Sequence, residues 1–172
     1  MKRIGILTYH CVPNFGAQLQ AISTVGYLKK KGYEPVILHW YPKDLEEMYG
    51  KRIPVKQVAC HQEFTKQVLP LSKLCRNEED LLAEIEYLQL DGIIVGSDAL
   101  FKYVPNENRT YFDKRHLRKV HLDCLSVEDV KGNPFFGGFI PKLATKIPVM
   151  AFAVSSQVDS RTILDQVGAE KL

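Results

Sequence analysis

The chain has 172 residues, 45% hydrophobic and 25% charged, which excludes disorder, collagen and low complexity and fits one compact domain with its own core. Its 23 Lys and Arg stand against 20 Asp and Glu, a net +3 spread along the chain, so nothing calls for a nucleic-acid partner. No apolar run approaches the roughly 20 residues a bilayer needs, and the apolar stretch Ile4-Gly5-Ile6-Leu7 is too short for a signal peptide; a cytoplasmic chain without membrane insertion is expected.

The segment 2–8, KRIGILT, is a short apolar run with polar flanks and predicts a strand buried on both faces of a parallel sheet. A helix follows. Asn14 is placed to cap it, Phe15, Leu19, Ile22, Val25 and Gly26 fall on one face, Lys29 to Lys31 occupy the last turn, and Gly32 supplies the stop. Glu34 to Tyr41 is the next strand, which completes a βαβ unit with a right-handed crossover. Residues 42–54 read as a polar surface loop. Residues 57–74 read as mostly helical, ended or kinked at Pro70. Asn77 opens a further helix with Glu78, Glu79 and Asp80 in its first turn and Leu81, Leu82, Ile85 and Leu88 as its buried stripe. Asp91 to Gly96 is a third strand, running into Ser97-Asp98. In residues 99–134, which include the basic stretch Lys114 to Lys119, helix is the reading, with a solvated face favoured over a site for acidic glycans. Pro148 to Val154 is a fourth buried strand, and residues 160–167 open a last helix.

In such a sheet every strand points its carboxyl end to one edge, where ligands bind. The loop Tyr9 to Ala17 leads into a helix amino terminus, whose unpaired N–H groups favour an anion. Gly16 and Ala17 allow close approach there. Equally, Asn14 can serve only as a cap and Gly16 only as a turn, because the loop lacks the G-x-G-x-x-G spacing. Gly96-Ser97-Asp98 offers a small residue, a hydroxyl and a carboxylate for sugar hydroxyls or base chemistry, although Asp98 can also cap a helix. Ser155-Ser156-Gln157 suits positioning or a plain turn. His10 is the histidine this reading brings to the edge, with an intrinsic pKa suited to acid–base work, although a lone loop histidine more often has no such role.

The cysteines Cys11, Cys60, Cys75 and Cys124 are scattered through a domain that needs no staples, so reduced thiols are expected. His10-Cys11, Cys60-His61 and His121 with Cys124 permit a zinc or nucleophile hypothesis. Without a C-x-x-C pair to anchor it, no metal site is expected.

Taken in order, IGILTYH with NFGAQLQA, KKKGYEPVILHW, the stretch from Phe64 through Asn77-Glu78-Glu79-Asp80-Leu81, LDGIIVGSD, and NPFFGGFIP with IPVMAFAVSS resemble the polysaccharide pyruvyl transferase family. The last two look like a strand pair of that family. The resemblance implies one Rossmann-like α/β domain over residues 1–172 with a mostly parallel sheet, like the amino-terminal half of a GT-B-like fold, and an insertion at about 99–133. It implies transfer of the enolpyruvyl group of phosphoenolpyruvate to a glycan sugar as a pyruvate ketal, in cell-surface glycan synthesis. Phosphoenolpyruvate is then a donor substrate, and no cofactor is implied. By the same resemblance Asp98 and His10 are the catalytic candidates, and Tyr9, Asn14, Gly16, Ala17, Gly96, Ser97 and Ser155 line the substrate wall.

The chain departs from that family where Ala99-Leu100-Phe101 replaces an expected Gln and Trp and where Gln157 replaces a Gly. The carboxyl-terminal domain that grips phosphoenolpyruvate is expected to be absent, so the chain alone is expected to be inactive. The rival expectation is a non-catalytic saccharide-binding or partner-binding module. A homodimer formed through the face where the second domain would dock is part of that expectation.

Overall fold

The structure, a computed structural model, describes residues 1–97, 100, 110–113, 117–121 and 133–154. Among them the chain runs β1 (Arg3–Leu7), α1 (Phe15–Lys30), β2 (Glu34–Trp40), α2 (Lys43–Arg52), α3 (Val55–Val68), β3 (Leu71–Cys75), α4 (Glu78–Leu88), β4 (Gly92–Val95), β5 (Thr110–Asp113), β6 (Arg118–His121) and β7 (Val149–Ala151). Five strands form a sheet in the order β3-β2-β1-β4-β7, and every pairing in it is parallel. The chain winds outward from β1 through β2 to β3, then returns past β1 to β4 and β7. That is the doubly wound, Rossmann-like α/β arrangement.

Alternation along the strands divides the core between the two faces of the sheet. Ile6 and Ile37 pack with Ala21, Val25 and Leu28 of α1 and with Leu69. Leu7, Leu38, Trp40, Ile93 and Val95 pack on the other face with Leu81 and Ile85 of α4, Leu45 of α2, and Phe135 and Phe139. Strands covered in this way read as continuous apolar runs, as β1 and β2 do. At the amino edge Arg3 ties three elements together: its backbone N–H donates to Asp91, and its guanidinium donates to the Leu88 carbonyl and pairs with Glu34 at 2.8 Å.

Helix α1 has the expected ends. The Asn14 side chain accepts from the N–H groups of Gly16 and Ala17, and Gly32 sits at φ 81° after the Lys31 cap. Its buried face differs from the one the apolar spacing suggests. Gln18, Ala21, Val25 and Leu28 face inward, while Phe15 and Leu19 are 77% and 62% exposed. Small Ala21 lets the helix approach the sheet, and the Gln18 amide donates to Thr65 Oγ1 of α3 at 2.6 Å. Replacing Asn14 by alanine should remove about 1 kcal/mol of stability. A lower urea midpoint at unchanged slope checks it.

Several elements correct the reading of the sequence. Residues 43–52 form α2 instead of a loop, with Asp44 and Glu46 in the first turn, Lys51 and Arg52 in the last, and Leu45 buried; charges that complement the helix dipole compensate for a thin apolar stripe. The helix read over 57–74 stops at Val68. Pro70 disfavours helical backbone at Leu69, which turns extended, and Leu71–Cys75 pairs with β2 as an edge strand. Helix α4 has the expected Asn77 cap and buries Leu81 and Ile85.

In the region read as helix, Thr110–Asp113 and Arg118–His121 pair antiparallel, in keeping with the β-formers Thr110, Tyr111, Phe112 and Val120. Lys114 to His116 lie outside the described residues. NPFFGGFIP is not a strand. It forms two 3-10 turns, Pro134–Phe136 and Ile140–Lys142, joined through Gly137 at φ 77°, because Pro134 and Pro141 lack the N–H a ladder needs. The fourth strand exists but is short and lies at the sheet's edge, with Met150 and the following Phe152 53% and 56% exposed. The last helix, 160–167, lies outside the described residues. No described helix is long and apolar enough to cross a membrane.

Candidate functional site

Strands β1 and β4 are neighbours whose connections leave in opposite directions, so their carboxyl ends open a crevice of the kind in which α/β sheets bind ligands. Gly96 and Ser97 stand there, directly after β4. The Gly96 N–H donates to the Leu7 carbonyl at 3.1 Å. A Cβ at Gly96 would lie 2.5 Å from the Phe152 carbonyl oxygen, so glycine is required for β7 to approach. Ser97 is buried, and its hydroxyl donates to Gln20 Oε1 of α1 at 3.3 Å. Tyr9 packs its half-buried ring on Phe135, with centroids 4.9 Å apart. Asp98 and Ser155 lie outside the described residues.

At the start of α1 the cap is in place: Asn14 Oδ1 accepts from Gly16 N at 2.8 Å and Ala17 N at 3.3 Å. The two N–H groups that would greet an anion are therefore already paired with Asn14. An anion binding there must displace that side chain or approach beside it. Gly16 is exposed, as close approach requires.

His10 does not open toward this crevice. It is fully buried, and both its backbone N–H and its ring Nδ1 lie 3.0 Å from the Thr8 carbonyl. A carbonyl only accepts, so Nδ1 carries the proton and Nε2 presents its lone pair. That lone pair faces His39 Nδ1 at 2.8 Å and Cys11 Sγ at 3.0 Å. Burial, with the facing His39 adding to it, pushes His10 down to about 3. Burial also lowers His39, ahead of Arg76 and Lys66, and lowers His61. The Cys11 thiol is held well above its ordinary value by burial. All three imidazoles are thus kept neutral, and the thiol keeps its proton.

His39 is the residue that strand spacing did not bring to this edge. It lies near the end of β2, where the register with β3 shifts by a residue and the His39 N–H donates to Ser72 Oγ at 3.0 Å. Beside it is a cavity of about 200 Å³ lined by Cys11, His39, Tyr41, His61, Thr65 and Arg76, among others. Arg76 pairs with Glu46 at 2.5 Å and donates to the Tyr41 carbonyl. Both ring nitrogens of His61 are buried and make no hydrogen bond among the described residues. A second, larger groove of about 460 Å³ runs along α4 beside residues 142–147, where its ionisable lining is Glu86 and Lys142. Among the described residues Cys11, Cys60 and Cys75 are free thiols.

No curated protein and no solved structure matches the chain significantly. A family model does, that of the polysaccharide pyruvyl transferases, over residues 14–140. The matched span holds Asn14, Gly16, Ala17, Gly96, Ser97 and Asp98, together with three of the five sheet strands in full; β1, Tyr9, His10, Cys11, β7 and Ser155 lie outside it. With most of its length matched and a parallel doubly wound sheet of the kind the resemblance implied, this chain belongs to the polysaccharide pyruvyl transferase family.

Proposed function

We propose that this domain serves the transfer of the enolpyruvyl group of phosphoenolpyruvate to a glycan sugar as a pyruvate ketal. It would form the amino-terminal wall of a cleft between two domains of the GT-B kind. The observation that carries this reading is the family match across the segment containing Gly96 and Ser97, residues that stand at the crevice between β1 and β4. Forming the ketal requires a general acid to protonate the enol carbon and cations to hold the carboxylate and phosphate. Asp98 is the proposed acid–base group. Gly96 and the Asn14-Gly16-Ala17 turn would orient sugar hydroxyls, joined by Ser97 when its hydroxyl turns from Gln20 to the ligand. The cations would come from a second domain, and the setting would be the cytoplasmic stage of cell-surface glycan synthesis.

Calorimetric titration of the chain with phosphoenolpyruvate and with nucleotide-linked sugars tests the proposal. Saturable binding is expected, weakened by about tenfold or more in Ser97→Ala and Asp98→Ala, since each removes a hydrogen bond worth about 1.5 kcal/mol. Binding unchanged in both variants would place the ligand elsewhere.

A second reading is a non-catalytic binding module. It is favoured by large apolar side chains exposed where elements meet the carboxyl edge: Phe15 and Leu19 in the first turns of α1, and Phe152 after β7. On this reading a partner surface covers them, either another domain or a second copy. Saccharide binding without turnover, or no ligand binding together with a concentration-dependent dimer in sedimentation, would favour it.

A further inference from the structure

We propose that His10, Cys11 and His39 form a binding site for a divalent cation of the Zn²⁺ class, with His61 available across the adjoining cavity as a fourth ligand. His10 and Cys11 come from the loop after β1, and His39 comes from the end of β2. One ligand atom from each lies within 4.8 Å of the others. The separations are 2.8 Å between His10 Nε2 and His39 Nδ1, 3.0 Å between His10 Nε2 and Cys11 Sγ, and 3.5 Å between His39 Nδ1 and Cys11 Sγ. Tetrahedral zinc, with bonds of about 2.0–2.1 Å to nitrogen and about 2.3 Å to sulfur, sets its ligands about 3.3 Å (N to N) and 3.5 Å (N to S) apart. The cluster is therefore within about half an ångström of the spacing an ion would impose, and the His39–Cys11 separation matches it.

Hydrogen bonding alone leaves this cluster frustrated. His10 Nε2 has a single lone pair, because Nδ1 holds its proton against the Thr8 carbonyl, yet two groups crowd that lone pair within hydrogen-bonding distance. The Cys11 thiol also lies 3.7 Å from the Trp40 carbonyl, a weak contact. A cation would accept all three ligand atoms at once. The Thr8 carbonyl then does what outer partners of metal-bound imidazoles do, fixing the tautomer and the ring plane of His10.

His61 is the independent sign. It is 9% exposed, lines the cavity that Cys11 and His39 also line, and leaves both ring nitrogens without a hydrogen bond among the described residues. A buried imidazole with no protein partner calls for water or an ion in the cavity it lines. The cations already present do not forbid an ion: Arg76 is matched by Glu46, and Lys66 is exposed.

On binding, Cys11 releases its thiol proton to solvent as the Sγ–metal bond forms, while His10 and His39 donate neutral lone pairs from Nε2 and Nδ1. The mixed sulfur and imidazole set favours zinc over magnesium or calcium. The ion would pin the loop that leads into α1 onto β2. His10 and Cys11 lie outside the segment matched by the family model, and His39 and His61 lie inside it.

The test is a Co²⁺ titration of the chelator-treated full chain, followed by absorption and then by displacement with Zn²⁺. One ion per chain is expected, with a thiolate-to-cobalt charge-transfer band and visible bands of tetrahedral intensity, all lost on adding Zn²⁺. Cys11→Ser should abolish the charge-transfer band and weaken binding by about 100-fold or more, and Cys60→Ser, on the exposed side of α3, should leave both unchanged. His61→Gln should weaken binding and alter the visible bands; if it changes neither, the fourth-ligand assignment falls. X-ray absorption of the Zn²⁺-loaded wild-type chain gives a result that does not depend on any variant folding, with one sulfur and two or three nitrogen neighbours expected. A shell without sulfur, no binding by the wild-type chain, or a charge-transfer band that survives Cys11→Ser would overturn the proposal.

Discussion

Replacing Phe139 by alanine should remove about 3–5 kcal/mol of stability, the range for emptying a fully buried aromatic site. Phe139 is 0% exposed and belongs to the cluster that joins Leu7 and Ile93 of the sheet to Leu81 of α4. It reaches that cluster from a segment with little regular structure. The two 3-10 turns around it are closed by short-range backbone bonds, such as Phe136 N to the Asn133 carbonyl and Lys142 N to the Phe139 carbonyl, and the Lys142 side chain pairs with Glu78 of α4. How far those turns relax into the cavity left behind sets where in that range the loss falls. Since domains of this size are stable by about 5–15 kcal/mol, the variant should be largely unfolded at modest urea concentrations. Phe139→Leu, which keeps most of the volume, should cost distinctly less. Equilibrium denaturation of both variants checks this, and an alanine variant within about 1 kcal/mol of wild type would mean that residues 133–143 do not hold this face together.

Gly96→Ala should also be damaging, by a smaller amount and for a different reason. The added Cβ would lie 2.5 Å from the Phe152 carbonyl oxygen and 3.5 Å from its carbon. Both are backbone atoms and cannot swing aside as a side chain would. Relief requires β7 to shift, and that shift works against the bond from Phe152 N to the Val95 carbonyl at 2.8 Å. Overpacking of this sort typically costs about 1–3 kcal/mol. The expected signature is local as well as global: faster hydrogen exchange at the Phe152 amide, ahead of the amides of β1 and β2. Wild-type stability together with unchanged exchange at Phe152 would show that β7 is not seated against Gly96.

The parts of the fold that could be read from residues are those where one physical signal dominates. β1, β2 and β4 are apolar runs with polar flanks, and burial on both faces produces that pattern. Asn14, Asn77 and Gly32 mark helix ends because capping is local chemistry. β3 escaped because LSKLC, at the sheet's edge, buries only Cys75 and carries an exposed Lys73 and Leu74. α2 escaped because its single buried leucine is surrounded by charge.

The crevice shows the same division. Gly96 and Ser97 were legible because their place follows from the end of a strand. The meeting of Cys11 with His39 was not, because it depends on β1 lying beside β2, and no spacing rule links residues 28 positions apart. His61 depends further on how α3 lies. An adjacent His10-Cys11 pair, taken with a histidine near the end of the neighbouring strand of a βαβ unit, is the signal that could have found it.

The strand order also shapes how the chain is made. Arg3 of β1 meets Glu34 of β2 across 31 residues but meets Asp91, beside β4, only across 88. A ribosome therefore releases the middle strand of the sheet first and supplies its two neighbours at widely different times. At about 5–20 residues per second, β1 waits several seconds between gaining β2 and gaining β4. Throughout that interval one edge of the future central strand lies open to the wrong partner, in a nascent chain already rich in isoleucine and leucine. That edge stays without its native partner until β4 arrives.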